Sequence, residues 1–249
     1  MRPLLFAANW KMNLGPDDAR AYLKTFRTRY HRHEARDAWF FPPTISLEAA
    51  AQAARERADL LVGIQDIHWE PKGAFTGAVS APLAVQAGAK AALVGHSERR
   101  HIFGETDEDT RKKVAAALAA GLAPVLCVGE TLAEREGGHT IAIVNRQLSG
   151  ALGGTPPQTL ERITIAYEPV WAIGTGKTAT PADAAAVHRE IRAWLVGRGA
   201  PRTRILYGGS VNLKNIAELL AERELDGVLV GGASLDPEGW AQLVQTPAA

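Results

Sequence analysis

Cysteine is almost absent. The chain carries one, Cys127, among 249 residues, which excludes an intrachain disulfide framework and any thiolate cluster around zinc. A reducing compartment is the expectation. Net charge is nearly absent too: 28 Lys and Arg against 27 Asp and Glu leave +1, too little for the electrostatic footprint of a nucleic-acid or anionic-membrane partner. Long apolar runs are missing. The opening run Leu-Leu-Phe-Ala-Ala is broken by Asn9 and Lys11, so it is too short for a signal h-region or a membrane span. The closing Gln-Thr-Pro-Ala-Ala carries no retention or lipidation signal. These absences lead to the expectation of a soluble, cytoplasmic protein with no membrane and no nucleic acid as partner.

What is present is a regular alternation. Hydrophobic content of 46% over this length allows a substantial core. Short apolar runs at Leu4–Asn9, Ala38–Phe41, Asp59–Ile64, Ala91–Val94, Pro124–Val128, Ile163–Tyr167, Arg204–Tyr207 and Gly227–Val230 read as strands. They are near-continuously apolar rather than alternating, which suits parallel strands buried on both faces. Between them lie segments of helical period, such as Asp107–Ala120 and Ala182–Val196. Thr180-Pro-Ala-Asp183 supplies a cap hydroxyl, a first-turn Pro and an acid, and Gly88 and Gly121 read as helix C-caps. Eight strand–helix units in one chain without a linker fit a single closed (β/α)8 barrel over 1–249; an open doubly wound sheet can be written with the same alternation.

In either architecture functional groups gather at the C-terminal ends of strands. Those positions hold Asn9-Trp10-Lys11, Gly95-His96-Ser97-Glu98, Tyr167-Glu168-Pro169, Gly208-Gly209-Ser210 and Gly231-Gly232. Each has an ordinary explanation alone: a solvated lysine, a structural histidine or glutamate, a glycine turn. Their conjunction at one mouth does not. The two Gly-rich turns on the last two strands suit the recurring barrel phosphate site, where backbone amides approach an anion closely.

The stretch Glu168-Pro-Val-Trp-Ala-Ile-Gly-Thr-Gly-Lys-Thr178 ends like a nucleotide loop. A Walker pattern requires glycine at position 171, where Trp171 stands. The looser dinucleotide pattern must directly follow a strand, and Pro169–Ile173 intervenes. Stiff ends around a small-residue tip describe instead a lid comprising Pro169, Val170, Trp171, Ala172, Ile173, Gly174, Thr175, Gly176 and Lys177.

"NWKMN" (9–13), "GHSERR" (95–100), "CVGE" (127–130), "YEPVWAIGTGKTAT" (167–180), "YGGSV" (207–211) and "GGASL" (231–235) together resemble the triosephosphate isomerase family, in its order and spacing over essentially the whole chain. The resemblance implies interconversion of D-glyceraldehyde 3-phosphate and dihydroxyacetone phosphate through an enediolate, in glycolysis and gluconeogenesis, with no cofactor and no metal. It implies Glu168 as the base, His96 as a neutral hydrogen-bond donor to the substrate carbonyl, and Lys11 with Asn9 as its electrostatic complement. Glu98 would position Lys11. Backbone amides of Gly174, Ser210, Gly231 and Gly232 would hold the phosphate, and Tyr207 would latch the lid. This enzyme is itself a standard worked example of tuned acid–base chemistry.

The loop Asp66–Ser80 reads as a docking surface that exposes Ile67, Trp69 and Phe75; a self-packed Ω-loop is the plainer reading. By the resemblance its tip, Thr76 with Phe75, enters a second copy near Asn9 and Lys11, making a homodimer. Where the family often has an acid after Phe-Thr-Gly, this chain has Ala78, which bears on a polar contact at that interface. Two other readings remain open at this level: a Schiff-base barrel, which would want its lysine buried, and a silent barrel that only binds sugar phosphates.

Overall fold

The computed structural model of the chain describes residues 3–172 and 179–247. Strands β1 (Leu4–Asn9), β2 (Arg36–Phe41), β3 (Leu60–Ile64), β4 (Ala91–Val94), β5 (Ala123–Val128), β6 (Thr164–Tyr167), β7 (Arg204–Tyr207) and β8 (Gly227–Val230) pair in sequence order. Helical segments separate them. β8 then pairs in parallel with β1, from Leu5 opposite Gly227 to Ala8 opposite Val230. The ring is closed, which removes the open-sheet alternative. Closure depends on Gly227: its φ is +142°, and a Cβ there would lie 1.9 Å from the Leu5 carbonyl oxygen.

Alternation within each strand explains the unbroken apolar runs. Leu5, Ala7, Phe41, Leu93, Val125, Cys127, Ala166, Leu206 and Leu229 belong to one buried cluster that fills the barrel interior. Phe6, Ala8, Phe40, Ile64 and Ile205 point the other way, into a second layer with Tyr22, Leu23, Phe26 and Ile191 from the surrounding helices. Successive side chains on a strand face opposite sides, and here both sides are covered.

Capping matches the sequence signals. Thr180 Oγ accepts from the Asp183 amide at 3.1 Å while Asp183 accepts from the Thr180 amide at 3.2 Å, opening the helix Pro181–Val196. Gly88 and Gly121 hold φ of 96° and 81°, the left-handed conformation that a helix C-terminus favours.

The strand limits differ in four places. β2 starts at Arg36 rather than Ala38, and β5 at Ala123; β3 and β6 start one residue later than their apolar runs suggest. Charge hides the start of β2. Arg36 is buried at the barrel's foot and donates to the Val244 and Thr246 carbonyls, while Asp37 pairs with Arg204 at 2.9 Å. Polar residues with partners distant in the chain extend a strand beyond what hydropathy reveals.

Candidate active site

The C-terminal ends of β1, β4, β6, β7 and β8 meet around a cavity of about 320 Å³, which Asn9, Lys11, His96, Glu168, Ser210, Gly231 and Gly232 all line. Lys11 follows β1 with φ of 50°, a conformation uncommon outside glycine. Three hydrogen bonds hold it. Its amide donates to Asn9 Oδ1 at 3.0 Å, its carbonyl accepts from Gln65 Nε2 at 2.8 Å, and Nζ lies 2.6 Å from Glu98 Oε1. Gln65 also donates to the Phe41 carbonyl, tying the turn after β1 to the end of β2. The lysine is thus aimed along the cavity wall, its stem against Gly231, where a Cβ would come 3.1 Å from Lys11 Cε.

His96 is the N-cap of the short helix Ser97–His101, and its Nδ1 accepts from the Glu98 amide at 3.3 Å. Nε2 lies 3.1 Å from Glu168 Oε1. Burial lowers the imidazole pKa, the adjoining Glu168 carboxylate raises it, and the carboxylate prevails. The acceptor role of Nδ1 nevertheless puts the proton on Nε2, since protonating Nδ1 would set one N–H against another. The ring nitrogen facing the cavity is therefore an N–H donor.

Glu168 is 2% exposed. Burial alone would raise its pKa, but His96 and the Ser97 amide, which donates to Oε2 at 2.8 Å, hold the carboxyl below its ordinary value. Its backbone continues β6: the Glu168 amide donates to the Val128 carbonyl at 2.7 Å and the Gly208 amide to the Tyr167 carbonyl at 2.7 Å. Neighbouring glycines make the room. A Cβ on Gly129 would lie 1.8 Å from the Glu168 carbonyl oxygen, and one on Gly208 would lie 2.8 Å from Glu168 Cγ.

Opposite these groups, a 3-10 turn Gly232–Ser234 follows β8 and begins at Gly231. The first amides of such a turn have no intrahelical acceptor, and Gly231 and Gly232 both line the cavity. Ser234 Oγ bonds the Val230 and Gly231 carbonyls and Tyr22 bonds the Ser234 carbonyl, fixing the turn. Ser210 borders the same space, its hydroxyl donating to the Ala172 carbonyl at 2.7 Å.

Beyond Glu168, Pro169 is buried and Val170–Ala172 form a 3-10 turn. The Val170 amide donates to the Glu130 carbonyl. Trp171 Nε1 donates to the wholly buried Glu130 carboxylate at 2.8 Å, and the Arg135 guanidinium covers the Trp171 ring at 4.4 Å. Ile173, Gly174, Thr175, Gly176 and Lys177 lie outside the described residues. Tyr207 is buried, its hydroxyl packed over Gly209, where a Cβ would lie 2.2 Å away, and beside the Ala179 backbone. Burial pushes the phenol up to about 12, so it stays a neutral donor at any ordinary pH.

The loop Asp66–Ser80 corrects the sequence reading in part. Ile67 is 1% exposed and sits in the core, and Trp69 is half-buried, stacked on His68 with Lys112 over its ring. A hydrophobic residue next to a turn had a local cavity to fill. Phe75, at 44%, and Thr76 are exposed. A second cavity of about 620 Å³ adjoins the site and is lined by Lys11, Gln65, Glu98 and Phe103.

Sequence reasoning missed Gln65, Ser97 as a backbone donor, Glu130, Gln147 and the packing role of Gly129. "CVGE" contained two of them, but a buried carboxylate and a glycine forced by contact leave no local signature. Cys127, read only as a redox marker, is buried against Glu168, and burial pushes its thiol well up.

A closed parallel barrel whose mouth brings a buried carboxylate, an imidazole and an ammonium to one cavity beside a Gly-rich turn has the makeup of a barrel enzyme. The profile of the family described as Triosephosphate isomerase matches residues 4–247. The triosephosphate isomerase of Aquifex aeolicus is 47% identical over 244 residues, covering 96% of this chain and 98% of that one. That of Moorella thermoacetica is 47% identical with 98% of each covered. The crystal structure of triosephosphate isomerase from Bartonella henselae superposes with a TM-score of 0.87 at 37% identity, covering 98% of both chains. The chain belongs to the triosephosphate isomerase family.

Proposed function

We propose that the chain, as one catalytic domain over 1–249, interconverts D-glyceraldehyde 3-phosphate and dihydroxyacetone phosphate by Glu168-mediated proton transfer through an enediolate. The observation that carries this reading is the convergence of Lys11, His96 and Glu168 on one cavity that also holds the Gly231–Gly232 turn. The carboxylate takes a proton from the hydroxyl-bearing carbon beside the carbonyl and returns it to the former carbonyl carbon, while the hydroxyl proton passes to the former carbonyl oxygen, so no net proton is consumed. His96 Nε2–H donates to the oxygen on which charge develops, and Lys11 adds a positive field. Asn9 lies beside them as a neutral group.

Glu168 is held as a weak base by His96 and the Ser97 amide. Replacing those bonds with contact to the substrate carbon raises its proton affinity toward what the step needs. The phosphate is assigned to the amides of Ser210, Gly231, Gly232 and Gly174. The assignment of 169–177 as a lid gives the order of events: phosphate contact at Gly174 accompanies the reseating of Glu168 and the exclusion of water. Glu98 is assigned to positioning Lys11, and Tyr207 to latching the lid.

Assembly belongs to the same proposal. Met12 and Phe103 are strongly exposed around the larger cavity, and this apolar rim supports a homodimer in which Thr76 and Phe75 of one copy reach the other. A cytoplasmic location fits the single buried cysteine and the lack, among the described residues, of any helix long and apolar enough to cross a membrane.

The deciding experiment assays wild type beside Glu168→Gln. Turnover should fall by at least about 10²-fold while a phosphate-bearing inhibitor still binds. Near-full turnover in the variant would remove Glu168 as the base. Wild type that binds the inhibitor without turnover would leave a binding barrel only.

A further inference from the structure

Gln147 lies on the helix Thr140–Leu152, outside the barrel wall, and is 3% exposed. A buried primary amide has to satisfy both its ends. Here it does so on a single residue: Oε1 accepts from the Gly129 amide at 2.8 Å, and Nε2 donates to the Gly129 carbonyl at 3.1 Å. The side chain thereby grips one residue by the peptide groups on either side of it.

Gly129 is the residue against which the catalytic segment leans. A Cβ there would collide with the Glu168 carbonyl carbon and oxygen, at 2.6 and 1.8 Å. The residues around it form a template. The Glu168 amide bonds the Val128 carbonyl, the Val170 amide bonds the Glu130 carbonyl, and Trp171 bonds the Glu130 carboxylate. The run 168–171 is laid onto 128–130 at three points, and the middle of 128–130 has no side chain of its own to anchor it. Its anchor is Gln147.

We propose that Gln147 is a positioning residue for Glu168, acting through the Gly129 backbone to fix where the carboxylate stands. This rests on the reading of Glu168 as the base. Without the amide, Gly129 and its two peptides lose a donor and an acceptor in a buried place, and the strand end relaxes toward new partners. A carboxylate carried on that frame then strays from its working position. Displacements of about 1 Å in a catalytic group can cost on the order of 10²-fold.

The test uses the full chain and first establishes the base with wild type and Glu168→Gln. Gln147→Met, which keeps the volume and removes both hydrogen bonds, should then lower kcat by about tenfold or more with KM close to wild type. Glu168 should also titrate higher, read by ¹³C NMR of glutamate labelled at the side-chain carboxyl, because its bonds to His96 and Ser97 loosen. Val144→Ala, a buried change on the same helix, controls for lost stability and should move neither quantity. Gln147→Leu is the second variant: close in size and apolar, it too removes both hydrogen bonds to Gly129. The same fall in kcat is expected from it if Gln147→Met does not fold. Unchanged kcat and an unchanged Glu168 titration in a folded variant would overturn the proposal, as would an equal loss in Val144→Ala. Failure of the base itself would show separately, as high turnover in Glu168→Gln.

Discussion

His96 Nε2 stands 3.1 Å from Glu168 Oε1, so the imidazole and the carboxylate assigned to one substrate are paired with each other. Each partly satisfies the other's burial. The carboxylate has His96 at one oxygen and the Ser97 amide at the other. On the proposed function, substrate recognition is an exchange of bonds: the substrate carbonyl takes over the imidazole N–H, and the carboxylate is released to act as a base.

The pair makes a prediction about pH. Burial acts to raise the Glu168 pKa, while His96 and Ser97 bring it below its ordinary value. The carboxylate should therefore stay ionised below the ordinary range, around 4.3. His96→Ala removes one of its partners and leaves burial less opposed, so the Glu168 titration should move upward. Turnover should fall by on the order of 10²–10³-fold, as for one lost preorganised donor. A phosphate monoester itself titrates near about 6, so the carboxylate is best read directly, by ¹³C NMR of labelled glutamate. An identical midpoint in wild type and variant would contradict the coupling.

Gly208 offers a test of packing beside the base. A Cβ there would lie 2.8 Å from Glu168 Cγ and 3.1 Å from the Tyr167 carbonyl oxygen. Small-to-large changes in packed regions cost about 1–3 kcal/mol, and here the yielding atom belongs to the side chain proposed as the base. Gly208→Ala should lower kcat more than its modest fall in Tm would suggest. A variant with wild-type turnover would mean that Glu168 can move aside without consequence.

How much of this was legible beforehand follows from what each residue answers to. The strands were readable because both faces of the barrel are buried, which writes an unbroken apolar run at Leu4–Asn9 or Ala91–Val94. Asn9, Lys11, His96 and Glu168 were readable because they end strands, where a parallel fold gathers its chemistry. Arg36 was not, because its partners are the Val244 and Thr246 carbonyls some 200 residues away in the chain. Gln147 was not, because a glutamine on a helix looks solvated until Gly129 is seen beneath it. Ile67 misled for a simpler reason: an apolar residue in a loop can turn inward as readily as outward.

The assembly has a direct readout. Phe75 and Thr76 are exposed at the tip of a loop, and Met12, at 94% exposure, sits on the rim of the larger cavity beside Lys11. Light scattering should give twice the chain's 26.6 kDa. Thr76→Arg, placing a charge at the tip, should shift the species toward monomer and lower activity together. A wild-type monomer at working concentration would remove the dimer from the functional reading.

The last prediction concerns acid stability and lies away from the cavity. His188, on the helix Pro181–Val196, is wholly buried, with Nδ1 3.1 Å from the Glu224 carbonyl and the ring edge-on to Tyr167. Burial depresses its pKa to about 4; the Glu224 carbonyl opposes that and nearby Arg192 adds to it. An unfolded histidine titrates near 6.5. Between those values the unfolded chain binds a proton that the folded chain refuses, so stability falls as pH drops from about 6.5 toward 4. A shift of this size corresponds to roughly 3 kcal/mol at the acid end. His188→Gln has no such proton to gain. It should cost stability at neutral pH, where the imidazole packs against Tyr167, yet flatten the decline of the urea midpoint between pH 6.5 and 4.5. Parallel declines in wild type and variant would assign the acid loss to other groups, with the buried carboxylate Glu168 the first to test: its depressed pKa contributes stability that is lost only as pH falls through that lower value.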